Sequence, residues 1–314
     1  MTVSIIGAGM AGLLAGAMFR SEAQIYEASS KLPNNHHALL RFRTDDIAHH
    51  LNIPFQAVEV MKIVKPYRNK VAEAVGYSLK SNGRASLRSI KSAEGKVERR
   101  FIAPPDFIQH LADLQVNDIE FKAEADRNMM SNLSEFGPII STIPMGTLMK
   151  LLNYPAQAEF EYRHAWVVKA EMQVQSDMCA TVYYPDPALP IVRATLTGEL
   201  LQIELVEKFD PATWALDRLM AEVLPDFGLD HCTYSAELVP QNYAKIVAMP
   251  DRERRKFIMW ATDEFGIYSL GRFAVWKPGL LLDDVFVDCQ HIMNMIREGH
   301  NYHGRLPKAT KRSA

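Results

Sequence analysis

Gly7, Gly9 and Gly12 fall at the spacing GxGxxG, and Gly16 extends the series. The chemistry open to such a turn is the grip of a diphosphate. Gly7 permits a tight turn, Gly9 lets the backbone close on the phosphates, and Gly12 lets a helix lie near the preceding strand. A helix beginning at Met10 and Ala11 then offers unpaired N–H groups to the anion. Glu27 stands 20 residues beyond Gly7 and is followed by Ala28. A carboxylate at that point accepts a hydrogen bond from a ribose hydroxyl, which favours NAD or FAD over NADP. A glycine turn with no ligand is the plain alternative.

Other residues invite chemistry without a motif. His36 and His37 follow Asn34 and Asn35; imidazoles titrate near neutral pH and serve as proton-transfer groups or as parts of a polar turn. Arg41 and Arg43 alternate with Leu40 and Phe42. On a strand both guanidinium groups share a side and suit a phosphate or a carboxylate, a solvated strand face being the alternative. His49, His50, His300 and His303 lack a companion set of carboxylates or cysteines, so no metal site is expected. Cys179, Cys232 and Cys289 lack CxxC spacing and read as small buried apolar residues.

These residues need elements to position them. Residues 2–6 and 23–26 predict short strands around a helix at 13–19, a βαβ opening. Residues 55–64 and 74–79 read as strands. Residues 107–114 read as a helix entered through Pro104, Pro105 and Asp106, with the aspartate accepting backbone N–H bonds. Buried strands are expected at 119–122 and 139–143, returning to the first sheet. Long antiparallel strands follow at 162–174, 179–184 and 191–206, then a helix at 211–224. Strands at 257–262 and 267–270 and a helix at 288–297 complete the pattern, with 252–256 a charged run before it.

The whole chain sets the limits. Its 314 residues amount to about two domains, with 48% apolar and 23% charged residues, the balance of a globular protein. A net charge of −2 removes any global electrostatic argument for nucleic acid. No apolar run is long enough for a membrane span, and the start enters a strand pattern directly, so a cytoplasmic location is expected.

The glycine turn, the long irregular stretch after Glu27 and two later segments together resemble the glutathione-reductase-type FAD-dependent oxidoreductases, in particular the amine-oxidase and UDP-galactopyranose-mutase branch. The later segments are Ile140-Ser141-Thr142-Ile143-Pro144 and Tyr268-Ser269-Leu270-Gly271-Arg272-Phe273-Ala274-Val275-Trp276, followed by Leu282-Asp283-Asp284-Val285. The family's glycine pair after the acid is replaced here by Asn34-Asn35-His36-His37.

The resemblance implies an α/β fold: a Rossmann-like FAD-binding domain with an antiparallel-sheet substrate domain. The first would comprise 1–50, 96–152 and 260–314, the second 51–95 and 153–259. It implies FAD as cofactor, held by Gly7, Gly9, Met10, Ala11, Gly12, Glu27, Ala28, Arg41, Arg43, Thr142, Pro144, Gly271, Arg272, Asp283, Asp284 and Val285. It further implies that His37 or Lys245 handles protons and that Arg272 stabilises the reduced flavin, with Trp276 near the ring; a surface lysine and a core tryptophan are the alternatives.

Leu32-Pro33-Asn34-Asn35-His36, Leu40-Arg41-Phe42-Arg43, Ala244-Lys245-Ile246 and Ser269-Leu270-Gly271-Arg272-Phe273-Ala274 are together also similar to small phage flavoproteins found with thymidine-hypermodification enzymes. That likeness implies oxidation of a C–N substrate, a small amine or an amino acid attached to thymine in DNA, leaving an aminomethyl group, in a host cytoplasm. Mutase-like chemistry through reduced flavin, without net redox turnover, is the enzyme alternative; a flavin-bound scaffold of a DNA-modification complex is the non-enzyme alternative. The oligomeric state is left open.

Overall fold

A computed structural model describes residues 2–32, 40–83, 85–87, 95–115, 117, 119–156 and 158–299, without the side chains of Asn82, Asn242 and Tyr243. The chain opens with β1 (Val3–Ile6), α1 (Met10–Phe19), β2 (Ala23–Glu27), β3 (Arg41–Phe42) and α2 (Asp46–Leu51). Next come β4 (Gln56–Val64), α3 (Lys70–Asn82), β5 (Lys96–Ile102), α4 (Phe107–Asp113) and β6 (Glu120–Phe121). They are followed by α5 (Arg127–Phe136), β7 (Ile139–Ser141), α6 (Met145–Leu151), β8 (Tyr162–Met172) and β9 (Cys179–Tyr183). The rest are β10 (Ile191–Thr197), β11 (Leu200–Leu205), α7 (Leu216–Val223), β12 (Tyr234–Ile246), α8 (Asp251–Phe265), β13 (Ile267–Ser269) and α9 (Leu282–Arg297).

The chain divides into two compact units. Unit 1 is Met1–Gln56, Phe101–Glu161 and Ala248–Ala314; unit 2 is Ala57–Arg100 and Tyr162–Val247. The limits differ from the expected ones chiefly near 248–259 and 153–161. The first stretch belongs to unit 1 because α8 is a helix that runs directly into β13, and in the second Tyr154 packs on Phe257 of α8, with ring centres 5.1 Å apart.

Unit 1 holds a parallel sheet in the order β13-β7-β1-β2-β6. Its central strand β1 is buried throughout, as a parallel strand covered on both faces must be. Helix α1 is apolar all round, and nine of its ten residues are buried. It packs in one core with Phe42, Ile47, Phe107, Val285, Phe286 and Cys289, so α1 and α9 share a hydrophobic centre. Within unit 1, Arg41 and Phe42 also pair antiparallel with Ile102 and Phe101.

Unit 2 is built on a mostly antiparallel sheet, β12-β8-β11-β10-β9-β4 with β5 alongside; β4 and β9 run parallel. One face carries Val168, Ala170, Val182, Ala194, Leu196 and Ile203, packed with Leu219, Met220 and Val223 of α7. Among the described residues no helix is long and apolar enough to cross a membrane.

Several elements differ from expectation. Residues 74–79 are helix, not strand: the Asn69 side chain accepts from the N–H groups of Val71 (3.0 Å) and Ala72 (2.9 Å) and starts α3, which stops at Gly83 with φ +67°. Residues 257–262 are likewise helix. Phe257, Ile258, Ala261 and Thr262 are the buried face of α8, and the charged run before them forms its first turns. Helix α9 starts six residues early, at Leu282, and α7 starts at Leu216. The Asp106 side chain makes no capping bond and pairs with His110 at 3.2 Å instead. Strand β6 is two exposed residues, and 191–206 is broken at Gly198, φ +58°, into β10 and β11. Strands β5 and β12 were not expected.

Candidate cofactor site

Strand β1 delivers the chain to the carboxyl edge of the parallel sheet, where ligands of open α/β sheets bind. The Gly7 N–H donates to the Tyr26 carbonyl at 2.8 Å, and φ +99° is a conformation side chains rarely adopt. A Cβ on Gly7 would stand 2.5 Å from Thr142 Oγ1, and one on Gly12 would stand 1.9 Å from the Gly7 carbonyl oxygen. Gly9 is the opposite case: a Cβ there would meet nothing within 4 Å. The space above Gly9 is therefore open at the start of α1, and Gly9 brings no side chain to cap that helix. The amides of Met10, Ala11 and Gly12 are left to solvent or a ligand.

The surroundings hold this turn in place. Thr142 follows β7, and its hydroxyl and N–H both donate to the Ile6 carbonyl, at 2.8 and 3.0 Å. Pro144 ends that segment by starting α6. Glu27, at the end of β2, accepts the Ala8 N–H at 2.6 Å and, with its other oxygen, the Ser29 N–H at 2.8 Å, so the backbone on both sides of Ala28 is fixed to the glycine turn.

The C-terminal segment reaches the same turn. Gly271 has φ +95°, and a Cβ there would be 2.8 Å from Ala11 Cβ, so only glycine fits. Leu270 N–H donates to Ser141 O and Met145 N–H to Phe273 O, both at 2.9 Å. Next to Gly271, Arg272 is exposed, with its guanidinium 5.1 Å from the Phe273 ring centre; partial desolvation lowers its pKa from the ordinary arginine value. Trp276 is buried against Phe160, with ring centres 4.8 Å apart at 82°.

A second cluster ties the 41–44 segment to α9. Arg43 N–H and Thr44 N–H donate to Asp283 Oδ1 at 3.0 and 3.3 Å, and Arg43 Nη2 donates to Asp284 Oδ1 at 2.5 Å. Asp284 also accepts the Leu281 N–H at 2.9 Å. Its desolvation is outweighed by the Leu281 amide and Arg43, which hold its pKa below the usual aspartate value. Strand β3 ends at Phe42, so Arg43 does not continue the face of Arg41. Val285 lies in the unit 1 core and its N–H donates to the Leu281 carbonyl at 3.0 Å, so neither its side chain nor its amide is open to a ligand, against expectation.

The structure thus gathers Gly7, Gly9, Met10, Ala11, Gly12, Glu27, Ala28, Thr142, Gly271 and Arg272 around one turn, and Arg43, Asp283 and Asp284 around another. His36 and His37 lie outside the described residues, as do His300 and His303. Lys245 belongs to unit 2, where it forms an ion pair with Glu204. Among the described residues no three His, Cys, Asp or Glu side chains come together as metal ligands.

Two residues inside the segments that carry the resemblance were not singled out there as site residues. Ser141 and Ser269 are register partners at the carboxyl ends of β7 and β13, 0% and 2% exposed, and neither hydroxyl has a hydrogen-bond partner among the described residues. A small hydroxyl ending an apolar strand just before Thr142 or Leu270-Gly271 was the available signal.

No protein-family model matches the chain, and no curated protein matches it. Solved structures do. The PF1083 protein from Pyrococcus furiosus is 12% identical, with a TM-score of 0.58 over 95% of this chain and 98% of that one. An oxidoreductase from Methanosarcina mazei is 11% identical, with a TM-score of 0.54 over 94% and 100%. A CLA-producing fatty acid isomerase from P. acnes is 14% identical, with a TM-score of 0.51 over 94% and 97%. At these identities the likeness establishes the shared fold.

Proposed function

We propose that this chain is an FAD-dependent oxidoreductase acting on a C–N bond of an amine or amino-acid substrate, including an amino acid carried on thymine in DNA. The observation that carries the proposal is the open backbone position at Gly9, at an uncapped helix start, with Glu27 fixed beside it. Similar folds include an oxidoreductase and a fatty acid isomerase, so the fold alone leaves the reaction open and the site carries it. FAD is preferred to NAD because a glycine-arginine turn from the C-terminal segment backs onto Ala11, so that Arg272 brings a cation to the coenzyme's end of the sheet, and a cation favours a ring that gains negative charge.

Gly7, Gly9 and the first amides of α1 would hold the diphosphate, and Glu27 the ribose. FAD supplies hydride acceptance from a C–H bond next to nitrogen. Arg272 contributes a fixed positive charge, and orientation of the substrate is the protein's other task. His37 is the proposed proton carrier. Lys245 already has a carboxylate partner and is the weaker candidate. A cytoplasmic location fits such a substrate.

The test is anaerobic addition of substrate to the yellow protein. Bleaching of the ~450 nm flavin band by DNA carrying amino-acid-modified thymidine, with aminomethyluracil found by mass spectrometry, supports the proposal. Protein that is colourless and takes up no FAD defeats it. Turnover seen only after prior reduction would transfer the chain to mutase-like chemistry.

A further inference from the structure

Strand pairing in unit 2 assembles a polar constellation that the cofactor site does not use. Arg193 on β10 lies opposite Tyr183 on β9 and Glu204 on β11, and Thr195 lies opposite Thr181 and Gln202. Residues directly opposite one another point to the same face of a sheet. The intervening Val182, Ala194 and Ile203 point the other way, into the unit 2 core. Helix α3 brings Tyr77 to the polar face, its ring 5.3 Å from that of Tyr183 at 84°.

The bonding within this cluster is incomplete in a particular way. Glu204 is 15% exposed at its side chain and is held by Arg193 Nε at 2.9 Å and by Lys245. A guanidinium that served only to neutralise a carboxylate would present its fork of two nitrogens to it. Arg193 instead approaches with Nε alone; the rest of the fork has no partner among the described residues, and the side chain is 49% exposed. Two cations and one carboxylate leave one positive charge, which matches a single carboxylate better than a phosphate dianion. Two phenol rings, neither hydroxyl hydrogen-bonded among the described residues, stand beside it.

We infer that the free fork of Arg193, flanked by Tyr77 and Tyr183, is a binding site for the carboxylate of a small organic acid. Glu204 and Lys245 are positioning residues that hold the guanidinium side-on. The inference rests on unit 2 alone and stands whether or not the chain binds FAD.

Phenylacetate, its uncharged isostere phenylacetamide and inorganic phosphate are titrated into the full chain and followed by calorimetry and tyrosine fluorescence. Phenylacetate is expected to bind at least about tenfold more tightly than the amide or phosphate. Arg193→Gln should lose about tenfold or more of that affinity, with Arg193→Lys intermediate. Should the variants fail to fold, phenylglyoxal labelling of the wild-type chain, read by peptide mass spectrometry, replaces them: phenylacetate should protect Arg193. Equal binding of acid and amide, preference for phosphate, undiminished binding by Arg193→Gln, or absence of protection overturns the inference.

Discussion

At the residue scale the three glycines of the opening turn have separable jobs, and substitution tells them apart. Gly9→Ala places a methyl group in open space, so the chain should fold with a stability change of at most about 1 kcal/mol, the range of an N-cap exchange. FAD affinity should nevertheless fall by about tenfold or more, because the methyl occupies the approach to the phosphates. Gly12→Ala meets the Gly7 backbone oxygen and should destabilise the fold by about 3 kcal/mol or more even without cofactor. Thermal melts of the FAD-free proteins beside FAD titrations read both effects.

The cysteines give a second residue-scale expectation. Cys289 is fully buried, and burial pushes its thiol up to about 12, helped by nearby Asp288; Cys179 is 9% exposed and Cys232 half-buried. A thiol reagent such as DTNB at neutral pH should therefore label Cys232 first, and Cys289 only once the chain unfolds. Prompt labelling of Cys289 in the native protein would contradict the packing of α9.

At the element scale, α9 is fixed by acids of opposite character. Asp283 is buried and accepts two backbone amides, so Asp283→Ala should cost about 2 kcal/mol by leaving both unpaired. The Asp284 pKa is depressed, so its contribution is present above the unfolded aspartate value and is lost as pH falls through the lower folded one. Asp288 is raised, chiefly by burial, so its ionised form opposes folding above the raised value. At pH 7, Asp284→Asn should then lower the melting temperature and Asp288→Asn raise it; the second shift should vanish below the unfolded aspartate value and the first only at still lower pH, once folded Asp284 is protonated. The Arg43–Asp284 pair is exposed enough that salt should shrink the first effect.

Helices also show where sequence was readable. The opening β1-α1-β2 unit was legible because short buried strands flank a glycine turn whose spacing has a mechanical reason. Helices α3 and α8 were misread because five or six apolar-rich residues fit either period. The deciding signals were the caps outside those windows, Asn69 for α3 and Pro250-Asp251 for α8. The Arg193 cluster was invisible for another reason: it exists only through the pairing of β9, β10 and β11, and cross-strand register is not written in any one segment.

At the scale of the whole molecule, each unit carries acids held below their ordinary range. In unit 2 the Glu98 carboxyl is lowered by Lys62, and that of Glu204 by Arg193 and Lys245 against strong desolvation. In unit 1 Asp284 is lowered by the Leu281 amide and Arg43 against its desolvation, and Asp251 by its hydrogen bond from Arg254. Depressed carboxylates lend stability above their unfolded values, near pH 4, that disappears as they protonate. Denaturant midpoints should hold from pH 7 to about pH 5 and then fall steeply below pH 4. Flat stability down to pH 3 would contradict these ion pairs.

The interleaving of unit 1 also orders events during synthesis. The glycine turn leaves the ribosome first, but Thr142, which props it, and Gly271, which backs it against Ala11, are translated far later. A nascent chain halted after Val247 would hold every residue of unit 2 yet lack the outer strand β13 and helix α9. Coenzyme loading would consequently be a late step, closed to any prematurely terminated product.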